Sequence, residues 1–131
     1  MSVIPSLAAG LAQLQALNNY IDQGSANATF VFYDDAKPAS TAVTANDSAK
    51  LVTLTLPKPS LLSVNADGIS FDLTDAGMII KTGTAIWARL FNGDGVVVAD
   101  FLVGTDIIPS TADLALGSTL KLDSITFRPS T

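Results

Sequence analysis

The segment from Thr84 to Thr105 constrains the fold more than any other part of the chain. It reads TAIWARLFNGDGVVVADFLVGT, with one apolar run on each side of the turn signal Asn92–Gly95. Asn and Gly tolerate positive φ angles, so this tetrapeptide predicts a tight turn between two antiparallel strands. Both runs carry apolar side chains on both alternating faces. This pattern is typical of central strands, covered by a second sheet on one side and by a helix or another subunit on the other.

The two-residue alternation of strands assigns the hairpin side chains to faces. Trp87, Arg89 and Phe91 share one strand face, and we place Phe101 with them on the outer face of the hairpin. Trp87 has two interpretations, packing inside the domain or anchoring a subunit interface, where Trp and Arg are enriched. A charged residue in an apolar strand needs a partner. Hairpin geometry indicates Asp100, on the opposing strand, as the partner of Arg89.

Residues 5–22 have the spacing of a helix, and the sequence PSLAAGLAQLQALNNYID carries no charged side chain before its final Asp. Pro5 suits a first helical turn and Gly24 a C-terminal stop. The apolar residues fall on one face at spacings of three and four. They are Leu7, Leu11, Leu14, Leu17 and Ile21. Two interpretations remain open, a helix packed on its own domain and a helix docked on a neighbouring subunit.

Short strands dominate the rest of the chain. Alternation predicts strands over 28–34, 50–57, 68–73 and 119–128, a loop over 37–47, and a loop or short strand over 75–83. In the second strand Val52, Leu54 and Leu56 should point inward. In the last one the apolar phase shifts at Asp123-Ser124, which predicts a β-bulge.

These elements predict an all-β fold. We expect an antiparallel β-sandwich, Ig-like or jelly-roll-like, with one N-terminal α-helix. Residues 1–24 would form a helix arm and residues 25–131 the sandwich domain.

Composition excludes several classes of function. The chain of 131 residues has 7 Lys and Arg, 12 acidic residues, all of them Asp, and no His or Cys, giving a formal net charge of −5. Nucleic-acid and anionic-membrane binding need clustered cations, which are missing. We identify no catalytic residue, no cofactor site and no metal site, and therefore expect no enzyme. Charged residues make up 15% of the chain, against about 25% in a typical domain. The surface is therefore either rich in small polar residues or partly covered by partners.

One set of residues carries a resemblance to a known family. A Trp-bearing strand, a Gly turn, a Val-rich strand ending in Val-Gly-Thr, an Asp-Leu-x-Leu stretch and a closing Gly resemble small virion structural proteins of tailed bacteriophages. The resemblance covers roughly residues 18–129, and its specific part is 83–127. The matching residues are Trp87, Arg89, Gly93, Asp100, Val103-Gly104-Thr105, Asp113-Leu114, Leu116 and Gly117.

The resemblance implies a bacteriophage virion structural protein. The favoured role is a capsid decoration or cement protein, with a neck, collar or tail component as the alternative. A carbohydrate- or receptor-binding module at a fibre tip is a further alternative, and a cellular, non-virion protein remains open. Expected partners are other virion proteins, such as the major capsid protein or neck and tail proteins, and further copies of the chain.

The resemblance implies that the protein resides in the virion. We expect synthesis in the host cytoplasm, because the sequence shows no signal peptide. Adhesive contacts are predicted on the helix face and on the outer hairpin face. The candidate interface residues are Leu7, Leu11, Leu14, Leu17, Trp87, Arg89, Phe91 and Phe101.

Overall fold

The computed structural model of the chain describes residues 6–58, 61–64, 69–71, 77–104, 107, 109, 111–120 and 125–127. For 61–64, 69–71 and 125–127 it describes the backbone alone. Within these residues the chain forms helix α1 (Leu7–Ile21), one 3-10 turn (Asp47–Ala49) and eleven strands. The strands are β1 (Thr29–Tyr33), β2 (Lys50–Thr55), β3 (Leu61–Val64), β4 (Ile69–Phe71), β5 (Gly77–Met78), β6 (Gly83–Thr84), β7 (Trp87–Phe91), β8 (Val97–Leu102), β9 (Asp113–Leu114), β10 (Thr119–Leu120) and β11 (Ile125–Phe127).

The strands form one larger sheet and three small ones. The larger sheet has the order β2-β1-β7-β8, with every neighbouring pair antiparallel. A three-stranded sheet has the order β11-β4-β3, and β5 with β10 and β6 with β9 form two-stranded ribbons. The fold is thus all-β and sandwich-like with one N-terminal helix, as the sequence predicted.

Helix α1 begins after Ser6, whose Oγ accepts a hydrogen bond from the backbone N–H of Ala9 (3.3 Å). This is the usual way in which a Ser N-cap satisfies a free donor of the first turn. The helix ends at Ile21 with Asp22 as its C-cap, and Gly24 follows with a φ of +102°, which favours Gly. The predicted helix is confirmed, whereas Pro5 lies outside the described residues.

The main core lies between the larger sheet and the segments that form the smaller ones. The larger sheet contributes alternate residues of β1, β2 and β7, and the opposing side contributes Ile79, Ala85, Ile107, Leu114 and Leu120. The predicted inward set of β2 is confirmed, because Val52, Leu54 and Leu56 are fully buried while Thr53 is exposed.

The predicted strand over 119–128 is described in two pieces. β10 pairs with β5, and β11 pairs with β4. Residues 121–124 between them lie outside the described residues, so one strand with a bulge stays a prediction. The predicted bulge position, Asp123-Ser124, lies outside the described residues.

Two glycines join the end of α1 to the turn of the β7–β8 hairpin. A Cβ atom on Gly93 would lie 2.1 Å from the carbonyl oxygen of Ala26 and 2.5 Å from that of Gln23. A Cβ on Gly24 would lie 2.5 Å from the carbonyl carbon of Gly93. The two backbones therefore touch directly, and only residues without a side chain fit at this crossing.

Candidate functional site

The outer face of the hairpin is defined by the register of β7 against β8. Trp87 faces Leu102, Arg89 faces Asp100 and Phe91 faces Val97. Residues opposite each other in an antiparallel pair point to the same side of the sheet. These three pairs therefore form the outer face, and the predicted grouping of Trp87, Arg89 and Phe91 is confirmed.

The placement of Phe101 on this outer face is wrong. Phe101 faces Ala88, so its ring points to the main core, where its centroid lies 5.7 Å from that of Phe30. The register shifts within the hairpin: Leu90 faces Ala99 but Phe91 faces Val97, which leaves Val98 as a β-bulge. A bulge changes which residues share a face on its two sides, and simple alternation cannot detect this change.

Arg89 and Asp100 form a buried ion pair with two hydrogen bonds. Arg89 Nε donates to Asp100 Oδ1 at 2.7 Å, and Nη2 donates to Oδ2 at 3.0 Å. The two side chains are 2% and 5% exposed. The pairing predicted from hairpin geometry is confirmed. The hydrogen bond to Asp100 is the main reason why the pKa of Arg89 is raised above its ordinary value, so the guanidinium is firmly held in its charged form.

Arg89 has two further contacts besides those with Asp100. Nη1 donates to the carbonyl oxygen of Val43 at 2.7 Å, and the guanidinium carbon lies 5.2 Å from the ring centroid of Trp87. The charge therefore has a partner, and each of the three guanidinium nitrogens donates a hydrogen bond within the chain. Arg89 acts here as a cross-link between β7, β8 and the segment that contains Val43.

Trp87 is packed between an aromatic neighbour and a carboxylate. Tyr33 lies opposite it on β1, and the two rings stack with centroids 4.4 Å apart and an interplanar angle of 18°. The indole Nε1 donates to Asp35 Oδ1 at 2.7 Å. Burial in this cluster, which includes Val31, raises the pKa of the Tyr33 phenol above its ordinary value.

The segment 36–46, which we call the strap, crosses this outer face. It comprises the small and polar residues AKPASTAVTAN. The sequence predicted a loop over 37–47, and this is confirmed except at Asp47, which begins the 3-10 turn. Under it Trp87 and Arg89 are 1% and 2% exposed. The sequence predicted a helix or a subunit over this face, but the cover is a loop of the same chain. Packing inside the domain therefore describes Trp87, and Phe91 beside it is half-buried.

Two clefts of about 340 Å³ each lie along the strap. One is lined by the strap and by Tyr33, Arg89, Phe91 and Val97. The other is lined by the strap together with Asp35 and Trp87. The strap thus covers the outer face without filling all of the space against it.

The apolar face of α1 is divided between core and solvent. Ile21 is fully buried, and Leu14 and Leu17 are partly buried against the main core. Leu11 is half-buried, and Leu7 is 46% exposed. The last two turns of the helix therefore pack on the chain's own domain. Of the four predicted interface leucines, Leu7 is the one most accessible to a partner.

A set of exposed apolar residues was missed by the sequence analysis. Met78, Ile80 and Leu116 are 66%, 57% and 64% exposed, and we call them the apolar patch. Met78 and Ile80 flank buried Ile79, whose carbonyl oxygen accepts a hydrogen bond from Gly117 N at 3.0 Å, next to Leu116. The sequence shows only an apolar run, GMII, in this region. Alternation along this run predicts that Met78 and Ile80 point outward only if Ile79 is already known to point inward.

Among the described residues no group of three or more acidic side chains is placed to hold a metal ion. No helix in the same residues is long and apolar enough to span a bilayer. Comparison of the chain with protein-family models, with curated proteins and with solved structures found no match.

Proposed function

We propose that the protein is a non-catalytic structural component of a bacteriophage virion, present in many copies. Its favoured role is capsid decoration, in which each copy adds small contacts between subunits of the shell. The resemblance in residues 83–127 suggests the class of protein. The observation that carries the adhesive role is the apolar patch of Met78, Ile80 and Leu116.

The apolar patch offers a moderate amount of binding energy. Full burial of a large aliphatic side chain is worth about 1.5–3 kcal/mol, and these three are already partly buried. They would together contribute roughly 3–6 kcal/mol on contact with a partner. The loss of translational and rotational freedom costs about 4–15 kcal/mol. One such contact therefore does not hold two free molecules together.

A contact of this strength suits a lattice with many sites. When several weak contacts are made by subunits that are already held in place, each later contact is intramolecular and its entropic cost falls. A shell or tail supplies this geometry, and a free pair of molecules does not. The energy of the apolar patch therefore supports a multivalent assembly, with Leu7 at the exposed end of α1 as a further contact.

Several residues that carry the resemblance belong to the framework of the fold. Trp87, Arg89 and Asp100 build the buried cluster, and Gly93 permits the contact with the end of α1. On β9, Asp113 accepts a hydrogen bond from Thr84 Oγ1 at 3.1 Å. These residues hold strands in register, which is what a rigid building block requires. The partner-specific contacts would then lie on the apolar patch, to which the motif contributes Leu116 and the segment before it contributes Met78 and Ile80.

A neck, collar or tail location is the closest alternative, because those parts of a virion also consist of adhesive β-domains. A carbohydrate-binding module would need exposed aromatic rings. In the described residues the single Trp is 1% exposed, and the large aromatic with substantial exposure is Tyr20, at 41%. The structural role is therefore the better supported of the two classes.

The location is tested by counting copies in purified phage particles by quantitative mass spectrometry. One copy of this protein for every one to few major capsid subunits would support decoration of the shell. A few to some tens of copies per particle would place the protein in the neck or tail. Absence from the particles would refute the proposed function.

The role of the apolar patch is tested with a matched pair of variants, Ile80→Asp and Val96→Asp. Both side chains are about half exposed, at 57% and 48%, but Val96 lies next to the hairpin turn, away from the patch. We expect both variants to fold, and only Ile80→Asp to lose incorporation into particles. Equal incorporation of the two variants would show that the patch is not an assembly contact.

A further inference from the structure

We propose that the strap, residues 36–46, opens as a unit from a sheet face that stays folded. The strap would then act as a hinged cover over Trp87 and Arg89. Three features support this proposal. The two ends of the strap, which we call its neck, are joined by residues outside the strap. The strap makes few contacts with the sheet, and the sheet face beneath it, which we call the floor, is held together by its own contacts.

The neck of the strap is closed by groups outside it. Asp34 N donates to the carbonyl oxygen of Ala49 at 3.1 Å, which joins the two ends across the base. Lys81 reinforces this closure, because its Nζ lies 2.9 Å from Asp34 Oδ2 and donates to the carbonyl oxygen of Ser48 at 3.0 Å. A compact loop with its ends held close together in this way is an Ω-loop. Its body can move while the strands at its ends stay paired.

The body of the strap is attached to the sheet at few points. The carbonyl oxygen of Val43 accepts the hydrogen bond from Arg89 Nη1, and Ala45 packs against the outer cluster. At the base, Asp35 accepts from the Trp87 indole. The Val43 side chain itself is 48% exposed. The two clefts leave much of the strap without atoms to pack against, so separating it from the sheet forfeits little dispersion energy.

The floor beneath the strap does not depend on it. Arg89 keeps both hydrogen bonds to Asp100, and Trp87 keeps its stack on Tyr33, because these contacts lie within the strands β1, β7 and β8. Opening would expose this preorganised face. Arg89 Nη1 would then point outward and would lack its acceptor, the carbonyl oxygen of Val43. The open form is therefore a local state and not a step in global unfolding.

Hydrogen exchange at the floor gives a direct test. Arg89 is 2% exposed beneath the strap. Once the strap has lifted, its Nε–H can exchange whenever the ion pair with Asp100 separates transiently in water. Its exchange is measured by NMR in the whole protein and compared with that of the backbone amide of Phe32, in the centre of the sheet. We expect the Arg89 Nε–H to open at least about a hundredfold more often than the Phe32 amide.

A matched pair of variants at Asp35 tests the attachment. Asp35→Ala removes the acceptor for the Trp87 indole, whereas Asp35→Asn keeps an acceptor oxygen. Loss of a hydrogen bond to a charged group changes an equilibrium about tenfold to a hundredfold. For Asp35→Ala we expect exchange of the Arg89 Nε–H to rise by about tenfold to a hundredfold. For Asp35→Asn we expect a much smaller rise, and exchange of the Phe32 amide should change little in both variants.

Two results would overturn the proposal. Equal opening free energies for the Arg89 Nε–H and the Phe32 amide in the unaltered protein would mean that the face is exposed only by global unfolding. This comparison decides the question even if a variant fails to fold. An unchanged Arg89 Nε–H exchange in folded Asp35→Ala would likewise refute the hinge.

Discussion

Replacing Arg89 with Met tests the buried ion pair, which is the main polar interaction between β7 and β8. Met has a similar length and no charge, so the substitution removes the two hydrogen bonds to Asp100 and the one to Val43 while filling most of the space. The Asp100 carboxylate then remains 5% exposed with no cation beside it. Burial of an unpaired charge is the dominant cost of such a change.

The expected loss of stability is large for the single substitution and small for the paired one. Removing one partner of a buried ion pair costs about 3–5 kcal/mol. Replacing both partners, as in Arg89→Met with Asp100→Leu, leaves no buried charge. The remaining cost is the lost hydrogen bond to Val43 O, about 1 kcal/mol. The double variant should therefore be more stable than Arg89→Met alone by about 2–4 kcal/mol.

Chemical denaturation measures these differences in the free energy of unfolding. The transition can be followed by far-UV circular dichroism and by the fluorescence of Trp87, the single Trp of the chain. Asp100→Leu alone completes the double-mutant cycle. A loss below about 1 kcal/mol for Arg89→Met, or strictly additive effects in the cycle, would refute the reasoning, since contacting charges must couple.

Three further predictions concern the glycine crossing, the turn and the outer cluster. Gly93→Ala should destabilise the protein by about 3 kcal/mol or more, because its Cβ would lie 2.1 Å from a carbonyl oxygen. Gly95→Ala should cost only about 1–2 kcal/mol, because the space around Gly95 is open and the cost comes from its φ of +79°. Thermal denaturation of the two variants compares these losses of stability. Asn92→Ala should cost about 1–3 kcal/mol in the same assay, since the buried amide oxygen accepts from two backbone N–H groups of the turn. Burial raises the pKa of the Tyr33 phenol, so on raising the pH the unfolded chain loses the phenol proton before the folded chain does. The free energy of unfolding should therefore fall as the pH rises above about 10. An equal fall in a Tyr33→Phe variant would contradict this.

Local patterns in the sequence were sufficient for most of the elements. The three- and four-residue spacing of the leucines gave the helix, and Asn92–Gly95 gave the hairpin turn, because both depend on residues close together in the chain. The partner of Arg89 was also predicted, because a buried charge needs a counter-ion and Asp100 is the acidic residue of the opposing strand. The bulge at Val98 brings the two residues opposite each other. The inward side of β2 followed from the alternation of Thr with Val and Leu.

The faces of β8 were not predictable from alternation. The bulge at Val98 moves Val97 to the outer face beside Phe91 and leaves Phe101 on the core side, opposite Ala88. A bulge is set by how the whole strand fits against its neighbours. The apolar run Val96–Val98 carries no mark that distinguishes the bulged position from the others.

The chain's own sequence determined that β7 would be a central strand with two covered faces, since its residues are apolar on both sides. Only the tertiary structure decided what covers the second face. A small, polar loop some 45 residues earlier in the chain does so, through the carbonyl of Val43, with the carboxylate of Asp35 bonded to Trp87 at the base of the loop. Periodicity in the sequence shows that a surface is buried, but it does not show which segment covers it, because that depends on long-range packing. The contact with Arg89 is made by the backbone carbonyl of Val43, and any residue at that position would supply such a carbonyl.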